Sequence, residues 1–429
     1  MTAFLFVAVL VVLVALSLPI ASVLGLSSML LDFAFNNGRL TLTFGGFIWD
    51  KSVDFTLVSV PLFILLGEII LRAGIADQMY RAVARWLSWL PGGLMHANVG
   101  SSAIFAATSG SSVATAATVG TVAYPEIRRG GYNEPLFLGS IAAGGTLGIL
   151  IPPSINLIVY GVLTETSIPE LYLAGMIPGL ILTALFGFAI LAICLARPDM
   201  DGTTETVTWS ERLRSLGDLL PPAILFLGVV GSIYLGLATP TEAASIGVVV
   251  ALALAAARGR LSLAMLSQAF EGTVRTTSMI MLIIFAAMVL NIVIGYLGVI
   301  QAAVAYIGTL GLTPLETILL VVVFYIIIGM FMETFSMLLT TIGLVFPIVT
   351  SVGFDGVWFG ILVTVLMEAA LITPPIGLNL FVVQGIRQQG GRFRDVCVGA
   401  VPFVAALLVL IGLLIWQPGI ALWLPRQYY

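Results

Sequence analysis

Two neighbouring stretches decide the fold: ATSGSSVATAATVG at residues 107–120 and GGTLGILIPPSIN at residues 144–156. Both are too apolar for an ordinary surface loop. Both also contain too much Gly, Ser, Thr and Pro for an uninterrupted membrane helix. Lipid tolerates broken backbone at hydrocarbon depth only where protein or a polar cavity supplies the missing hydrogen bonds. The two stretches therefore predict broken intramembrane helices around a functional site.

Composition places the chain in a membrane, because 60% of its 429 residues are hydrophobic and only 9% are charged. Such a balance lies outside the range of soluble domains. A span needs about 20 apolar residues. The first apolar segment has no basic stretch before it, so we interpret it as a helix of the mature protein and not as a signal peptide. The predicted spans are residues 2–18, 19–35, 55–71, 135–162, 171–195, 219–237, 241–257, 276–295, 357–385 and 396–416.

Two further apolar stretches, residues 93–125 and 313–347, carry polar residues at their centres. We predict that each is a re-entrant hairpin, which enters the membrane and returns to the same side. The polar segments 36–54 and 258–275 look amphipathic and are expected to lie at the interface as arms. Residues 199–218 are the plausible cytoplasmic linker.

The second half of the chain repeats the first. GRLTL at residues 38–42 recurs as GRLSL at 259–263, and the pair Pro152-Pro153 followed by Asn156 recurs as Pro374-Pro375 followed by Asn379. A shift of about 222 residues relates these and other matches. The repeat gives each half about five spans and one hairpin. That number of crossings is odd, so we predict that the halves have opposite orientations.

Basic residues fix the predicted orientation, since cytoplasmic loops are rich in Lys and Arg. One threading puts only Arg39, Lys51 and Arg426 on the outer side. The fold class expected is an all-α polytopic membrane protein with inverted repeats, a pattern typical of secondary transporters. The residues assigned to the cytoplasmic side are Arg72, Arg81, Arg85, Arg128, Arg129, Arg197, Arg212, Arg214, Arg258, Arg260, Arg275, Arg387, Arg392 and Arg394.

The hairpin tips are the first candidates for a site. A helix that begins at the tip offers free N–H groups and a positive dipole end to an anion, while the carbonyls that end the preceding arm suit a cation. The alternative is that small residues at the tip only permit tight helix packing. The candidate substrate-binding residues are Ser109, Gly110, Ser111, Asn156, Thr334, Ser336 and Asn379.

The Pro-Pro pairs are the second candidates. Proline removes a backbone donor and clashes with the preceding turn, which frees carbonyls at residues 148–151 and 370–373. With a hydroxyl of Ser154 or Thr373 these carbonyls form a hard-oxygen shell that suits sodium. A kink without a ligand is the alternative. Asn156 and Asn379 either brace the break or touch substrate, and bracing is the favoured interpretation.

Acidic residues inside predicted spans are costly and therefore raise a functional hypothesis. Glu68, Glu242, Glu333 and Glu368 are the cases in this chain. A structural role, either capping an interrupted helix or pairing with Arg or a backbone N–H, is favoured over ion coupling. For Glu242, which follows a proline at a helix start, capping is especially plausible.

Several functions are excluded by residues that the chain lacks. Its only lysine, Lys51, follows no glycine-rich loop, so the chain has no ATP-binding motif of the Walker A type. One histidine, His96, cannot supply a zinc-protease motif, so we expect no enzyme activity. The chain has no basic patch with interleaved aromatic residues, so nothing in it suggests nucleic-acid binding. Cys194 and Cys397 are expected to be structural thiols.

Four motifs carry a family resemblance: GGLMHANVGSSAIFAATSGSSVATAATVG at residues 92–120, GTLGILIPPSINLIVYG at 145–161, TPTEAASIG at 239–247 and ITPPIGLNLFVVQGI at 372–386. The chain resembles the large membrane subunit of tripartite ATP-independent periplasmic (TRAP) transporters along essentially its whole length. The resemblance implies a sodium-driven importer of small organic acids in the bacterial inner membrane. The implied partners are a periplasmic substrate-binding protein and a small four-helix membrane subunit, which we expect to be a separate chain.

The same resemblance implies an elevator, in which a transport domain carrying both hairpins slides against a scaffold. Residues 1–92 and 219–312 would form the scaffold, and residues 93–198 and 313–429 the transport part. About two sodium sites are implied, one at each hairpin with its neighbouring broken helix. The residues matched to the sodium sites are Ser109, Ser112, Gly148 and Ile151 for the first, and Gly329, Ala370, Thr373 and Ile376 for the second.

Two other functions stay open at this point. A passive channel would need no paired cation shells and would work without a sodium gradient. A proton-coupled exporter would use Glu333 or Glu368 as its relay. The sequence does not identify the substrate, because the binding protein could select it.

Overall fold

Helices account for the regular structure throughout the residues that a computed structural model describes, which are 2–203, 207–387 and 390–428. The helices of the first half are α1 Thr2–Ala15, α2 Ile20–Asn36, α3 Phe44–Ser52, α4 Ser59–Arg72, α5 Ile75–Leu87, α6 Leu94–Ser109, α7 Ser112–Ala123, α8 Glu126–Gly130, α9 Glu134–Thr146, α10 Ile155–Thr164 and α11 Ile168–Ala196. Short 3-10 turns lie at Thr41–Thr43, Phe55–Val58, Leu147–Ile149 and Pro198–Met200. This content agrees with the all-α class expected from the sequence.

The second half repeats this order of elements. Its helices are α12 Trp209–Phe226, α13 Ser232–Tyr234, α14 Pro240–Ala257, α15 Leu263–Tyr296, α16 Val299–Thr309, α17 Pro314–Gly329, α18 Thr334–Ser351, α19 Gly356–Ile372, α20 Leu378–Ile386, α21 Phe393–Trp416, α22 Gly419–Leu422 and α23 Pro425–Tyr428. A π-helical turn, Leu227–Gly231, joins α12 to α13. Seven helices within the described ranges are long and apolar enough to cross a membrane.

The predicted helix breaks are confirmed. Each hairpin is a pair of helices, α6 with α7 and α17 with α18, whose arms pack against each other. Each Pro-Pro pair separates two helices, α9 from α10 and α19 from α20. The single spans predicted at residues 135–162 and 357–385 are therefore broken helices, as the proline argument required.

Three boundaries differ from the sequence predictions. Helix α12 begins at Trp209, inside the predicted linker 199–218, because Thr208 and Glu211 form a capping box there. The predicted arm 258–275 is mostly the start of α15, a continuous helix of 34 residues. Helix α15 is about 51 Å long at 1.5 Å per residue, well beyond a hydrocarbon core of about 30 Å. The first arm remains separate, since Asp54 caps the next turn by accepting from Thr56 N at 2.9 Å.

Two helices, α5 and α16, were missed by the search for apolar spans. Each follows a glycine in the left-handed conformation, Gly74 at φ 68° and Gly298 at φ 70°. Helix α5 carries Asp77, Arg81 and Arg85 on one face and is strongly amphipathic, so no 20-residue apolar window covers it.

The two halves interlock through their helices. In the first half α9 packs against α21 of the second, and α11 packs against α19; outside them, α2 packs against α15 and α4 against α14. The contact between α9 and α21 is a backbone contact. A Cβ on Gly139 would overlap the Gly399 carbonyl, and a Cβ on Gly399 would overlap the carbonyl of Pro135. Only glycine permits this approach.

An ion cluster fastens the same crossing at one end. The side chain of Arg387 is only 3% exposed. Its Nη2 donates to Glu134 Oε1 at 2.8 Å and to Asp395 Oδ2 at 3.3 Å. Glu134 begins α9 and Asp395 lies in the first turn of α21. The cluster therefore joins the start of a broken helix in one half to the last long helix of the other.

The crossing gives a direct test of packing. We expect Gly399→Ala to destabilise the protein by about 3 kcal/mol, because the new methyl group meets rigid backbone. Gly412→Ala is the matched control in the same helix, since a Cβ there meets nothing within 4 Å. That control should be neutral or slightly stabilising. Thermal unfolding of both variants in one detergent measures the difference, and equal melting temperatures would contradict the packing argument.

Candidate functional site

The first hairpin tip seats on the first Pro-Pro break. Helix α6 ends before Gly110, which is left-handed at φ 61°, and a Cβ on Gly110 would lie 2.9 Å from the carbonyl oxygen of Pro153. Ser111 is extended and caps α7 by accepting from Ala114 N at 3.4 Å. The tip thus turns within two residues and directs the N-terminus of α7 towards the broken helix.

Two residues matched to the first sodium site meet at this tip. A Cβ on Gly148 would lie 2.8 Å from the backbone carbon of Ser111 and 2.9 Å from Ser112 N. Ser112 Oγ also donates to the Thr146 carbonyl at 3.3 Å. The hairpin tip and the end of α9 are therefore in backbone contact, and hydroxyl and carbonyl oxygens lie together at their junction.

The other two residues matched to the first sodium site, Ile151 and Ser109, are described less completely. Ile151 N donates to the Leu147 carbonyl at 3.1 Å, at the end of the short 3-10 turn. Ser109 ends α6, and its side chain lies outside the described part of the structure. Ser154, proposed as a hydroxyl ligand, donates to the Ile149 carbonyl at 2.5 Å and caps α10. Its hydroxyl hydrogen is therefore used to satisfy one of the carbonyls that the break frees.

The second hairpin tip is built around an acidic cap. Glu333 Oε2 accepts from Ser336 N at 3.1 Å and from Ser336 Oγ at 3.3 Å, and Glu333 Oε1 accepts from Thr334 Oγ1 at 2.9 Å. The capping role predicted for Glu333 is confirmed. These bonds use the N–H and hydroxyl of Ser336 to cap the start of α18.

The residues matched to the second sodium site lie beside this tip. A Cβ on Gly329 would lie 2.6 Å from that of Ala370, so α17 and α19 touch there. Thr373 Oγ1 donates to the Ala369 carbonyl at 2.6 Å. The side chain of Ile376 is 37% exposed, and only its backbone could serve as a ligand.

Both hairpin tips and the first broken helix line one cavity of about 260 Å³. The cavity's polar wall consists of Gly110, Ser111, Ser112, Asn156, Glu333 and Thr334. The opposite wall comes from α4 and α15 and includes Glu68 and Thr276. The cavity therefore lies between the hairpins and the helices that surround them, as a transport site must.

The cavity separates the predicted site residues into two groups. Gly110, Ser111, Asn156 and Thr334 line it, whereas Ser336 and Asn379 are absent from the lining that the structure describes. Of the residues matched to sodium whose side chains the structure describes, Ser112 alone is in the lining. Substrate and cation candidates are thus adjacent but distinct.

The two repeat-related asparagines have different surroundings. Asn379 is buried and its amide donates to the Ala142 carbonyl at 3.1 Å, which braces α20 against α9. Asn156 is also fully buried, but neither its amide nitrogen nor its oxygen has a partner among the described residues. The amide nitrogen of Asn379 thus braces two helices, although its Oδ1 has no described partner, whereas Asn156 presents a wholly unpaired amide beside the cavity.

The membrane acids also differ. Glu68 pairs with Arg72, and Arg72 Nη2 donates to the Gln268 carbonyl at 3.2 Å. Gly272 makes room for the pair, since its Cβ would lie 2.8 Å from the Glu68 carboxyl carbon. Glu242 accepts from Thr239 N at 2.8 Å and caps α14, so the predicted capping is confirmed.

Glu368 is the exception among the acids. It lies within α19, is fully buried, and neither carboxyl oxygen has a hydrogen-bond partner in the described ranges. The cap or ion pair predicted for it is wrong, because the N–H groups of a helix interior are already bonded to helix carbonyls. Sequence reasoning also missed Thr276 on the far wall. The GxxxT spacing of Gly272 and Thr276 gives no signal of its own, and only the packing of α15 reveals that Thr276 lines the cavity.

The remaining polar predictions agree with the structure. His96 Nε2 is hydrogen-bonded to the Pro91 carbonyl at 2.8 Å. Both cysteines are free. Among the described residues no group of three or more His, Cys, Asp or Glu side chains could hold a metal ion. A cation would have to be held by hydroxyl and carbonyl oxygens.

Comparison with known proteins gives one consistent answer. Residues 7–420 match the family model described as "Tripartite ATP-independent periplasmic transporter, DctM component". The chain is 34% identical over 382 residues to a C4-dicarboxylate TRAP transporter large permease of Pseudomonas aeruginosa, covering 88% of each chain. It is 30% identical to a sialic acid TRAP large permease of Vibrio cholerae, covering 87% of each. An ectoine/5-hydroxyectoine TRAP large permease of Ruegeria pomeroyi is 31% identical, with 86% of each covered.

A solved structure supports the fold. The YdaH transporter of Alcanivorax borkumensis superposes with a TM-score of 0.63 over 99% of both chains, at 18% sequence identity. At that identity the likeness concerns the arrangement of helices alone.

Substitution of Asn156 and Asn379 can distinguish a structural role from a functional one. We expect Asn379→Ala to cost about 1–3 kcal/mol of stability, because it removes the bond to α9. Asn156→Ala should leave stability nearly unchanged, since no protein partner is lost. Thermal unfolding of the two variants, made at equivalent positions of the repeat, measures this. A larger loss for Asn156→Ala than for Asn379→Ala would show that Asn156 is a structural residue.

Proposed function

The chain belongs to the family of the DctM component of tripartite ATP-independent periplasmic transporters, and on that premise we propose that it imports a small organic acid by coupling it to sodium entry. It is a multi-pass protein of the bacterial inner membrane and not an enzyme. The observation that carries the proposal is the convergence of both hairpin tips and a broken helix on one cavity. Relatives named for C4-dicarboxylates and for sialic acid support a carboxylate as substrate.

The tips supply the chemistry for an anion. Helix α7 begins at Ser112 and helix α18 at Thr334, and both starts line the cavity. At the start of α7, free N–H groups and the helix dipole favour negative charge, whereas at the start of α18 the carboxylate of Glu333 already accepts from Ser336 N. The unpaired amide of Asn156 adds two donors and an acceptor to the same wall.

Sodium has a suitable oxygen environment next to this cavity. We propose that the first ion lies among Ser109, Ser112, Gly148 and Ile151, and the second among Gly329, Ala370, Thr373 and Ile376. The contact of Gly148 with Ser111 and of Gly329 with Ala370 supports both groupings. A cation at either place would lie near the helix starts that receive the anion. Binding of one ion therefore favours binding of the other, which is the physical basis of symport.

The transport motion that we propose is an elevator of inverted repeats. The cavity wall on α4 is formed at its Arg72 end, by Glu68 and Leu71, and the wall on α15 lies next to Arg275. Both arginines belong to the set assigned to the cytoplasm, so the cavity lies towards the inner side. The repeat partners of Thr276 and Ile280 are Asp54 and Val58, at the other end of α4. If the two halves exchange conformations, the site moves from the Leu71 end of α4 to the Val58 end. The distance between these ends is about 20 Å along the helix.

Two partner proteins belong to the proposal: a small four-helix membrane subunit and a periplasmic substrate-binding protein. Sodium-dependent uptake should require both when the proteins are reconstituted together. Open reading frames for a secreted binding protein and a small membrane protein should adjoin the gene.

Proton coupling is the second candidate, and the buried, unpartnered carboxyl of Glu368 is the observation that favours it. In that case Glu368→Gln would abolish uptake driven by a pH gradient. Under sodium coupling the same variant retains sodium-driven uptake.

The first sodium site can be tested through Ser112. We expect Ser112→Ala to weaken apparent sodium affinity by about tenfold, the effect of losing roughly 1.4 kcal/mol from one ligand. The sodium dependence of the melting temperature and of uptake into proteoliposomes measures this. Thr121→Ala is the control, because its hydroxyl lies on the same helix, is exposed, and bonds only to the Ala117 carbonyl. An unchanged sodium half-saturation in Ser112→Ala would remove Ser112 from the site.

The elevator can be tested by cross-linking in a variant without Cys194 and Cys397. A cysteine at Val113, which is 36% exposed on the first hairpin, is paired with a cysteine at Leu71 or at Val58. We expect the Leu71 pair to form in the arrangement described here and the Val58 pair to form in the outward arrangement. If the Val58 pair never forms while transport proceeds, the site does not move along α4.

A further inference from the structure

A second cavity, of about 450 Å³, lies away from the transport site on the side assigned to the cytoplasm. Its walls come from α5, the starts and ends of the first hairpin, α8, and Thr203 and Val207, which precede α12. Helix α5 belongs to the predicted scaffold, whereas the hairpin and α8 belong to the predicted transport part. The cavity is thus a space between the two parts that the proposed motion would separate.

Positive charge dominates this cavity. Arg81 and Arg85 lie one turn apart on α5, and Arg129 reaches the cavity from α8. The one acidic residue in the described lining is Glu126, which is already paired with Arg129 at 2.9 Å. Arg81 and Arg85 form no hydrogen bond or ion pair with any described residue. Glu211 on α12 lies within electrostatic reach of Arg85 but forms no ion pair with it, since its carboxylate accepts from Thr208. Within the described lining, Arg81 and Arg85 therefore have no paired counter-charge, which favours an anionic ligand.

Aromatic residues place the cavity at the level of lipid headgroups. Trp86 follows the arginines on α5, and Trp89 lies two residues beyond its end. Trp209 begins α12 with its ring edge-on to Trp86 at 6.4 Å between centroids. Trp89 is 65% exposed and Trp209 is 69% exposed. Exposed tryptophans on a membrane protein concentrate at the membrane–water interface. A ligand beside them is within reach of the cytoplasmic leaflet.

We propose that this cavity binds the phosphate-bearing headgroup of an anionic phospholipid from the cytoplasmic leaflet. Arginine suits this ligand because its planar guanidinium donates two parallel hydrogen bonds to phosphate oxygens. Basic pockets between helices on this side of a membrane bind such headgroups. The volume lies within the range of pockets that hold small molecules. The lipid would contact both the scaffold helix α5 and, through Arg129, the transport part.

The proposed lipid binding does not depend on the proposed transport function; only its expected effect on transport does. Because the lipid bridges two parts that must move, its removal should alter the rate of transport without altering sodium affinity. Binding itself depends only on the arginines, so binding and transport can be tested separately.

The experiment compares lipid binding by delipidated full-length protein, using native mass spectrometry with phosphatidylglycerol or phosphatidylcholine. Wild-type protein should retain phosphatidylglycerol at least about tenfold more tightly than phosphatidylcholine, the effect of two nearby arginines. The double variant Arg81→Gln/Arg85→Gln should lose most of that preference. Arg81→Lys/Arg85→Lys should keep the charge and most of the preference.

The control is Arg275→Gln/Arg394→Gln, which removes two exposed arginines of the same assigned side without touching the cavity. That control should bind phosphatidylglycerol like wild type, and all variants should melt at similar temperatures. Equal binding by Arg81→Gln/Arg85→Gln and wild type would overturn the proposal. Displacement of the lipid by excess inorganic phosphate alone would show a site for soluble anions and would overturn the lipid assignment.

Discussion

Backbone hydrogen bonding at membrane depth is the constraint on which this structure depends. Lipid offers no partner to a free N–H or carbonyl group, yet the chain breaks four helices within its apolar mass. Three of the four breaks are satisfied by capping side chains: Ser111 caps α7, Ser154 caps α10 and binds the Ile149 carbonyl, and Glu333 caps α18. At the fourth, α20 begins after Gly377 without a side-chain cap, and Thr373 Oγ1 donates to the Ala369 carbonyl. The breaks also cover one another, as Gly110 does against the Pro153 carbonyl. Between the hairpins and the first broken helix, the start of α7 and the unpaired amide of Asn156 remain available for ligands.

The two halves share an order of elements but do not make equal contributions to the site. The first hairpin begins its second arm with serine and the second with glutamate, so one helix start is neutral and the other carries a carboxylate. Asn379 braces two helices, whereas Asn156 faces the cavity without a partner. The cavity is therefore asymmetric, and a ligand in it would meet different groups from each half. The two halves thus differ in role at this position: Asn156 of the first half is available to a ligand, and Asn379 of the second half stabilises the packing of two helices.

Much of this arrangement could be predicted from the sequence because its signals are local. Gly-Ser-Ser and Pro-Pro within apolar runs fix the breaks at the tip of the first hairpin and after α9 and α19, and the repeat fixes their pairing. No apolar window predicts α5, because its arginines interrupt any such window. The start of α12 lies before the predicted apolar span, because the capping box at Thr208 is a short signal within a polar segment. The wall formed by Glu68 and Thr276 depends on how α4 and α15 approach the hairpins. The separate roles of Asn156 and Asn379 likewise depend on which neighbour lies within reach, and no local pattern states that.

The glycine crossing of α9 and α21 bears on how the protein is made. Gly139 leaves the ribosome about 260 residues before Gly399, which at 5–20 residues per second is roughly 13 to 52 seconds of synthesis. Throughout that time the glycine face of α9 has no helix to cover it, and Glu134 has no Arg387. The first half must therefore wait in the membrane with its broken helix exposed to lipid or to an insertion factor. Completion of the site coincides with the end of translation, so a truncated chain would carry every residue of the first hairpin and still lack the support that holds it.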